Sequence, residues 1–182
     1  GKIPFITATF SGVVGIFTGM NAYGVGLGQV WAFSQDVKLA TPWNISLRKI
    51  FAESKTSKEV VTAMQNLGTT TYGNNFVIAD AGGHANPADT GFSIEMTGKT
   101  MATFKENDER ELELKYDGVS YGYPIANAVY RGDLSLDPDI RSRQISANGP
   151  DGNPRESGSY IERYKGQYDK IVEFERNGVL IG

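Results

Sequence analysis

Residues 3–33, IPFITATFSGVVGIFTGMNAYGVGLGQVWAF, decide the fold class of this chain. Three apolar runs of strand length follow one another here, at residues 3–10, 13–18 and 25–33, and glycines and a turn at residues 20–24 separate them. Each run is apolar on both of its faces in places, which is typical of strands in a sheet that is covered on both sides. The pattern therefore predicts a central sheet near the start of the chain.

The hydrophobic period changes after these strands. Residues 42–54 place apolar side chains at helical spacing, and residues 56–67 open with a capping box before a second apolar stripe. We also predict later strands at residues 75–80, 91–96, 100–104, 112–116 and 119–123, and helices at 137–146 and 162–176. Together these elements predict an α+β fold with mostly antiparallel strands. Because no repeat or linker interrupts the pattern, we expect a single domain over residues 1–182.

Composition excludes several kinds of site. The chain has 182 residues, with 18 basic and 21 acidic side chains, one histidine and no cysteine. A mildly acidic chain without basic runs predicts no nucleic-acid partner, and no apolar run is long enough to predict a membrane span. With one histidine and no cysteine among these residues, we expect no multi-histidine metal site, no thiolate metal site and no cysteine nucleophile within them.

Several short motifs fit ordinary structure better than catalysis. Residues 118–122 match the G-x-S-x-G nucleophile elbow, but Ser120 falls in a predicted hairpin strand and not at a strand-to-helix turn. Residues 24–28 look like a dinucleotide fingerprint, but they open a strand, so no helix N-terminus is available for a phosphate. We expect His84 in a surface turn and the carboxylate of Glu95 in solvent.

One tripeptide bears on localisation. Asn44-Ile45-Ser46 is a glycosylation sequon, which allows a secreted or lysosomal location if the protein is eukaryotic. The same asparagine also suits the cap of a helix. The compartment is therefore left open by the sequence.

Four segments, in order, resemble the signatures of one group of N-terminal-nucleophile hydrolases. They are TGMNAYGVG (18–26), NNFVIADAGG (74–83), FSIEM (92–96) and YPIANAVYRGD (123–133), with a helix pair ending in KTSKEVVTAMQNL after the first. The group contains the choloylglycine hydrolases, the penicillin V acylases and the acyl-coenzyme A:6-aminopenicillanic acid acyltransferase-like enzymes of peptidase family C45. The resemblance covers roughly residues 10–135 and is thin beyond them.

This resemblance implies a four-layer αββα sandwich whose first strands are missing from the present chain. It implies hydrolysis of non-peptide C–N amide bonds or acyl transfer to an amine, with a small N-acyl compound as substrate and no cofactor. In this group the nucleophile is a cysteine freed as the first residue of the mature chain, and its own α-amino group is the base. By resemblance, the Asn21 N–H and the Asn127 side-chain amide form the oxyanion hole. Arg163 is the nearest candidate for an arginine beside the nucleophile, and Arg131 and Arg141 are weaker rivals.

The chain also departs from the group. It contains no cysteine, and Gly1 lies inside what should be a sheet strand. We therefore expect the nucleophile and the first strands in the N-terminal part of the same protein or in another chain that completes the sheet. The alternative is a catalytically inactive homologue that acts as a structural or binding subunit. We expect Ile6, Phe10 and Val14 to be covered by such a segment, by another chain or by a second copy in a homo-oligomer.

Overall fold

The computed structural model describes residues 1–67, 72–82, 89–113, 115–116, 119–120, 122–126, 128–145 and 159–179. Their strands are β1 (Phe5–Ala8), β2 (Thr18–Asn21), β3 (Gly26–Trp31), β4 (Asn74–Ala79), β5 (Gly91–Met96), β6 (Met101–Phe104), β7 (Lys115–Tyr116) and β8 (Val119–Ser120). Their helices are α1 (Trp43–Phe51), α2 (Ser57–Leu67), α3 (Pro138–Ser142) and α4 (Ser159–Arg176), with a 3-10 helix at Glu109–Glu113.

Strands β1 to β6 form one antiparallel sheet in chain order, and β7 pairs with β8 in a separate hairpin. Strands β3 and β4 pair over their whole length, with Gly26 opposite Ala79 and Trp31 opposite Asn74. Helices α1 and α2 are inserted between these two strands. The predicted α+β class with mostly antiparallel strands is confirmed. The described residues supply one large sheet of the expected sandwich, and its full four-layer order stays a prediction.

Helices α1 and α2 pack on one face of the sheet, which we call the helix face. Alternate residues of β4 and β5 point to this face, because successive side chains of a strand point in opposite directions. They form the main hydrophobic core with the apolar stripes of the two helices, and its largest members are Phe51, Phe76, Phe92, Trp43, Met64 and Ile94. Burial of these side chains is the principal term that holds the helices on the sheet.

One bond of the capping box predicted at the start of α2 is formed, and the reciprocal bond is displaced by one residue. The Glu59 N–H donates to Thr56 Oγ1 at 3.1 Å, so Thr56 caps the helix. The Glu59 carboxylate reaches back and accepts a hydrogen bond from the Lys55 N–H at 2.6 Å. The bond to Thr56 satisfies a backbone donor that the first helical turn would otherwise leave without a partner, and the bond to Lys55 holds the chain just before the helix.

The opposite face of the sheet, which we call the second face, has a covered half over β4, β5 and β6. Residues 128–145 and α4 lie on it. Phe104 of β6 packs there with Leu134, Leu136 and Tyr164 in a second buried cluster. Asn75 of β4 donates from its side chain to the Gly132 carbonyl at 2.9 Å. Apolar packing and buried hydrogen bonds therefore both fasten this part of the chain to the sheet.

Over β1, β2 and β3 the second face is left largely uncovered by the described residues, and we call this part the open half. Ile6 and Met20 lie opposite each other in β1 and β2, and their exposed fractions are 76% and 54%. A Cβ atom added to Gly28 would meet no other group within 4 Å. In the loop after β1, Phe10 and Val14 are also exposed. The residues that we expect another segment to cover are thus accessible in this chain.

The predicted strand at residues 13–18 is wrong, and part of the predicted turn at residues 20–24 belongs instead to β2. The Ile16 N–H donates to the Asn44 carbonyl at 3.0 Å. Gly15 lies so close to the Asn44 side chain that a Cβ atom on it would be 2.6 Å away. Contact with α1, and not pairing in a sheet, therefore determines the path of this segment.

Candidate functional site

The TGMNAYGVG segment forms the β2–β3 hairpin, and its asparagine fastens the turn to α1. Asn21 is the last residue of β2 and is buried. Its side-chain oxygen accepts hydrogen bonds from the N–H groups of Tyr23 and Val25 at 3.0 and 3.2 Å. Its side-chain nitrogen donates to the carbonyl oxygens of Phe51 and Ser54 at 3.1 and 2.8 Å, at the C-terminal end of α1. The asparagine therefore sets both the shape of the turn and its position.

The backbone N–H of Asn21 is the group to which the resemblance assigns an oxyanion role. This N–H donates to the Val25 carbonyl at 2.9 Å. A donor in an oxyanion hole has to point to the position where the negative charge develops. In the present conformation the N–H points to Val25, so catalysis through it would require this hydrogen bond to open. The role in catalysis stays a prediction, whereas the contacts give Asn21 a structural role.

Of the other two predicted site residues, the structure places only Arg163. Asn127 lies outside the described residues, so its role stays a prediction. Nη2 of Arg163 lies 2.6 Å from Oδ2 of Asp133, and the arginine side chain is 56% exposed. Helix α4 packs through Tyr164 on the second face, whereas the Asn21 side chain binds α1 on the helix face. The sheet therefore separates Arg163 from the Asn21 side chain. The resemblance assigns catalysis to the backbone N–H of Asn21 and not to that side chain, so the catalytic role of Arg163 stays a prediction.

The remaining sequence motifs either lie in strands or fall outside the described residues. Ser120 is in β8, and Gly26 and Gly28 are in β3 rather than at the start of a helix. His84 lies outside the described residues. Among the residues that are described, no group of three or more His, Cys, Asp or Glu side chains could hold a metal ion. None of the described helices is both long enough and apolar enough to cross a membrane.

A buried ionic cluster of Glu95, Glu111 and Arg131 lies in the covered half. Nη1 and Nη2 of Arg131 donate to the two carboxylate oxygens of Glu111 at 3.0 and 2.9 Å, the paired geometry that a planar guanidinium favours. Nη2 also donates to the Ser93 hydroxyl at 2.8 Å. Nε of Arg131 lies 3.1 Å from Oε1 of Glu95 but is not aligned for a hydrogen bond. The guanidinium carbon lies 4.4 Å from the centre of the Phe104 ring.

The sequence prediction for Glu95 is wrong, because its side chain is buried and not in solvent. Its carboxylate oxygens accept hydrogen bonds from the N–H groups of Leu136 and Asp137 at 2.6 and 2.8 Å. Glu95 stands between Ile94 and Met96, whose side chains face the helices. The alternation of a strand therefore forces Glu95 to the second face. A single carboxylate inside an otherwise apolar strand was the signal that could have located this cluster.

Two carboxylates share one guanidinium in this cluster. Burial raises the pKa of Glu95, and the attraction of Arg131 opposes that shift. Burial likewise raises the pKa of Glu111 against the same attraction. For Arg131, burial alone would lower the pKa, but the interactions with Glu95, Tyr164 and Glu111 together outweigh burial, and the pKa lies above its ordinary value. Since its charged side chains are closed to solvent, we assign the cluster a positioning role: it fastens residues 131–137 to the sheet.

Comparisons with known proteins complete the description of the site. No protein family profile and no curated protein sequence matches the chain. Its structure is similar to an arginine-to-leucine variant of conjugated bile acid hydrolase from Clostridium perfringens, with a TM-score of 0.49 and 14% identity over 95% of this chain and 57% of that chain. It is also similar to a cysteine-to-alanine mutant of that hydrolase, with a TM-score of 0.38 and 18% identity over 56% of this chain and 34% of that chain. The chain thus spans 57% and 34% of these two proteins, and likeness at this level assigns it to no family.

Proposed function

We propose that this chain is part of a hydrolase of non-peptide C–N amide bonds, or of an acyltransferase that acts on N-acyl compounds. The observation that carries the proposal is that the four resembling segments, far apart in sequence, are neighbours in space. TGMNAYGVG contains β2 and the start of β3, NNFVIADAGG contains β4, and FSIEM lies in β5; these strands pair in that order. The C-terminal part of YPIANAVYRGD lies against them, since Arg131 binds Ser93 of β5.

The open half is where we propose that the missing nucleophile is supplied. Ile6 and Met20 present an exposed apolar surface on β1 and β2, directly beside the hairpin that carries Asn21. Exposed apolar surface of this kind marks sites that another protein segment covers. We propose that a segment of the same protein, outside residues 1–182, packs on the open half. In this proposal the segment begins with a cysteine whose α-amino group is free.

The proposed reaction proceeds through a thioester. The α-amino group takes the thiol proton, and the sulfur attacks the amide carbonyl to form a tetrahedral intermediate. Collapse of this intermediate breaks the C–N bond, and the amine leaves with the proton. Water or an acceptor amine then attacks the thioester, which yields the acid or a new amide and restores the thiol.

The resemblance assigns the two oxyanion donors of this reaction to Asn21 and Asn127. Each donor to the developing oxyanion contributes about 3 kcal/mol of transition-state stabilisation. For Asn21 this role requires its N–H to leave the Val25 carbonyl, to which it is bonded at 2.9 Å. Binding of the nucleophile segment next to the hairpin is the step at which we propose that this change occurs.

A structural or binding subunit is the second candidate, and two observations favour it. The 182 residues contain no cysteine. The backbone N–H of Asn21 is held by Val25 in the present conformation. The contacts that hold the sheet, its helices and the buried ionic cluster need no nucleophile, so the fold would persist in a protein that had lost catalysis.

The test uses the full-length protein that contains residues 1–182. Intact mass spectrometry with chemical labelling of the α-amino group would identify the first residue of the mature chain. Release of a carboxylic acid would be measured on N-acyl amines with aromatic, long-chain and steroid acyl groups. We expect an N-terminal cysteine, and turnover that iodoacetamide abolishes and a metal chelator leaves unchanged. A mature chain without an N-terminal cysteine, together with no turnover of these substrates, would contradict the enzyme and favour the subunit.

A further inference from the structure

An aromatic cavity lies at the opposite end of the sheet from Asn21. Its volume is about 350 Å³, and Phe17, Trp31, Trp43 and Tyr72 line it. Trp31 ends β3, six residues beyond the hairpin turn, which corresponds to roughly 20 Å at ~3.3 Å per residue. Helix α1 connects the two places, because it begins at the cavity with Trp43 and ends beside the carbonyl groups that Asn21 binds. The cavity is therefore separate from the proposed amide-hydrolysing site.

The cavity has a fixed aromatic floor and an accessible aromatic wall. The rings of Phe17 and Trp43 meet edge to face with their centres 5.2 Å apart, and Trp43 is part of the main hydrophobic core. Trp31 and Tyr72 are 47% and 51% exposed. The ring of Phe33 lies between them, at 5.2 Å from Trp31 and 5.8 Å from Tyr72. Rigid aromatic groups around a concave surface are typical of sites that bind small molecules.

The remaining wall is the loop that carries Lys38 and Leu39. Its start is anchored at Asp36, whose Oδ1 lies 2.9 Å from both Lys99 Nζ and Arg143 Nη2. The hydrogen bond from Lys99, with a further contribution from Arg143, lowers the pKa of Asp36, so the anchor stays ionised at neutral pH. Leu39 is 95% exposed. The loop is therefore fixed at its start by Asp36, and it places the apolar side chain of Leu39 beside the cavity.

Charge at the cavity favours an anion. Lys38 lines the cavity and forms no salt bridge with any acidic side chain that the structure describes. The start of α1 lies at the same place, and Pro42, the residue before the helix, offers no capping side chain. The first turn of α1 contains no acidic residue, and one neutral side chain, Asn44, accepts a hydrogen bond there, from the Ile45 N–H at 3.0 Å. No negative side chain of this turn therefore offsets the partial positive charge of the helix start. Lys38 and the start of α1 therefore both contribute positive potential at the aromatic cavity.

We infer that this cavity binds a small carboxylate whose body is an aromatic ring or a branched aliphatic group. The body lies against Trp31, Trp43 and Phe17, and the carboxylate faces Lys38 and the start of α1. A volume of about 350 Å³ falls at the small end of ligand pockets and suits one ring with a short chain. The inference does not rest on the proposed function, since binding requires no nucleophile.

The experiment uses 3-phenylpropanoate as the probe and the uncharged 3-phenylpropanamide as its control. Both are titrated into the full-length protein by calorimetry. Trp31 and Trp43 are the two tryptophans of residues 1–182. With 5-fluorotryptophan incorporated, a Trp31→Phe variant identifies the fluorine resonance of Trp31. We expect saturable binding of the acid, a shift of that resonance, and binding of the amide about fivefold weaker, the size of an exposed ion pair.

Two lysine variants locate the charge that is recognised. Lys38→Gln should weaken binding of the acid about fivefold and leave binding of the amide unchanged. Lys49→Gln removes the same charge from an exposed position of α1 outside the cavity lining, and it should change neither. The inference is overturned if the acid does not bind saturably, if acid and amide bind alike, or if the two variants weaken the acid equally. Amide hydrolysis is measured separately, so failure of one proposal leaves the other standing.

Discussion

The two halves of the second face are packed by different means. In the covered half, Asn75, Ser93 and Glu95 direct polar groups into the interior, and residues 128–145 supply their partners. In the open half, Ile6 and Met20 direct apolar side chains outward. A buried polar group is stable only if a hydrogen-bond partner lies at the matching position. An apolar surface is stabilised by any contact that removes it from water. The described residues therefore cover the half that needs specific partners, and among them none covers most of the half that many apolar segments could cover.

The largest expected difference between the halves comes from Arg131→Met. The substitution leaves the Glu95 and Glu111 carboxylates buried without their cation, so we expect a loss of about 3–5 kcal/mol in the free energy of unfolding. Ile6→Ala in the open half is the control and should change this free energy by less than about 0.5 kcal/mol when both variants are measured in residues 1–182 alone, where Ile6 is exposed. Urea denaturation measures both variants. Equal effects at the two positions would remove the distinction between the halves.

Asn21→Ala tests the turn after β2, which the Asn21 side chain fastens to α1 on the helix face. It removes four side-chain hydrogen bonds and leaves buried backbone groups without partners, so we expect a loss of about 2–3 kcal/mol. Asn177→Ala, at an exposed position after α4, should cost less than about 0.5 kcal/mol. The same denaturation experiment compares them. If Asn21→Ala lowers the free energy of unfolding no more than its control does, the turn is held by contacts other than those of this side chain.

The pH dependence of unfolding of the Arg131→Met variant tests whether the buried carboxylates cause its loss of stability. Burial raises the pKa of both Glu95 and Glu111. At pH values between the ordinary pKa and the raised pKa, the native state therefore binds more protons than the unfolded state. Stability from these groups therefore falls as pH rises through that range and recovers as pH falls. Without Arg131 the pKa values rise further, so the deficit of the variant should shrink on going from pH 7 to pH 5. The change is up to ~1.4 kcal/mol per pH unit for each carboxyl group that is protonated only in the native state. A deficit that is constant across this range would contradict this expectation.

Local signals predicted much of the fold. The capping box at Thr56 and Glu59, the helices it separates, and strands β4, β5 and β6 follow from the spacing of nearby residues. Strand β2 was missed because its four residues, TGMN, carry little apolar character, and pairing with β1 and β3 makes it a strand. Pairing between distant segments is not encoded in any short window of sequence.

Contacts between distant segments also limited what the sequence could predict about the candidate site. The sequence singled out Asn21, but not the carbonyl groups of α1 that hold its side chain. Glu95 was misplaced because its cation, Arg131, comes from a distant part of the chain. The aromatic cavity gave no signal because Trp31 and Trp43 belong to different elements that only the folded chain brings together.

The most direct test of the central claim, that a segment beyond residues 1–182 covers the open half in the complete protein, uses its native methionines. Met20 is 54% exposed in this chain, whereas Met64 and Met96 are each 2% exposed. The full-length protein would be treated with hydrogen peroxide, and the oxidation rate of each methionine would be measured by peptide mass spectrometry relative to the denatured protein. We expect Met20 to be protected to the level of Met64 and Met96, and we expect that dilution does not change this protection. Oxidation of Met20 near its rate in the denatured protein, while Met64 and Met96 stay protected, would contradict it.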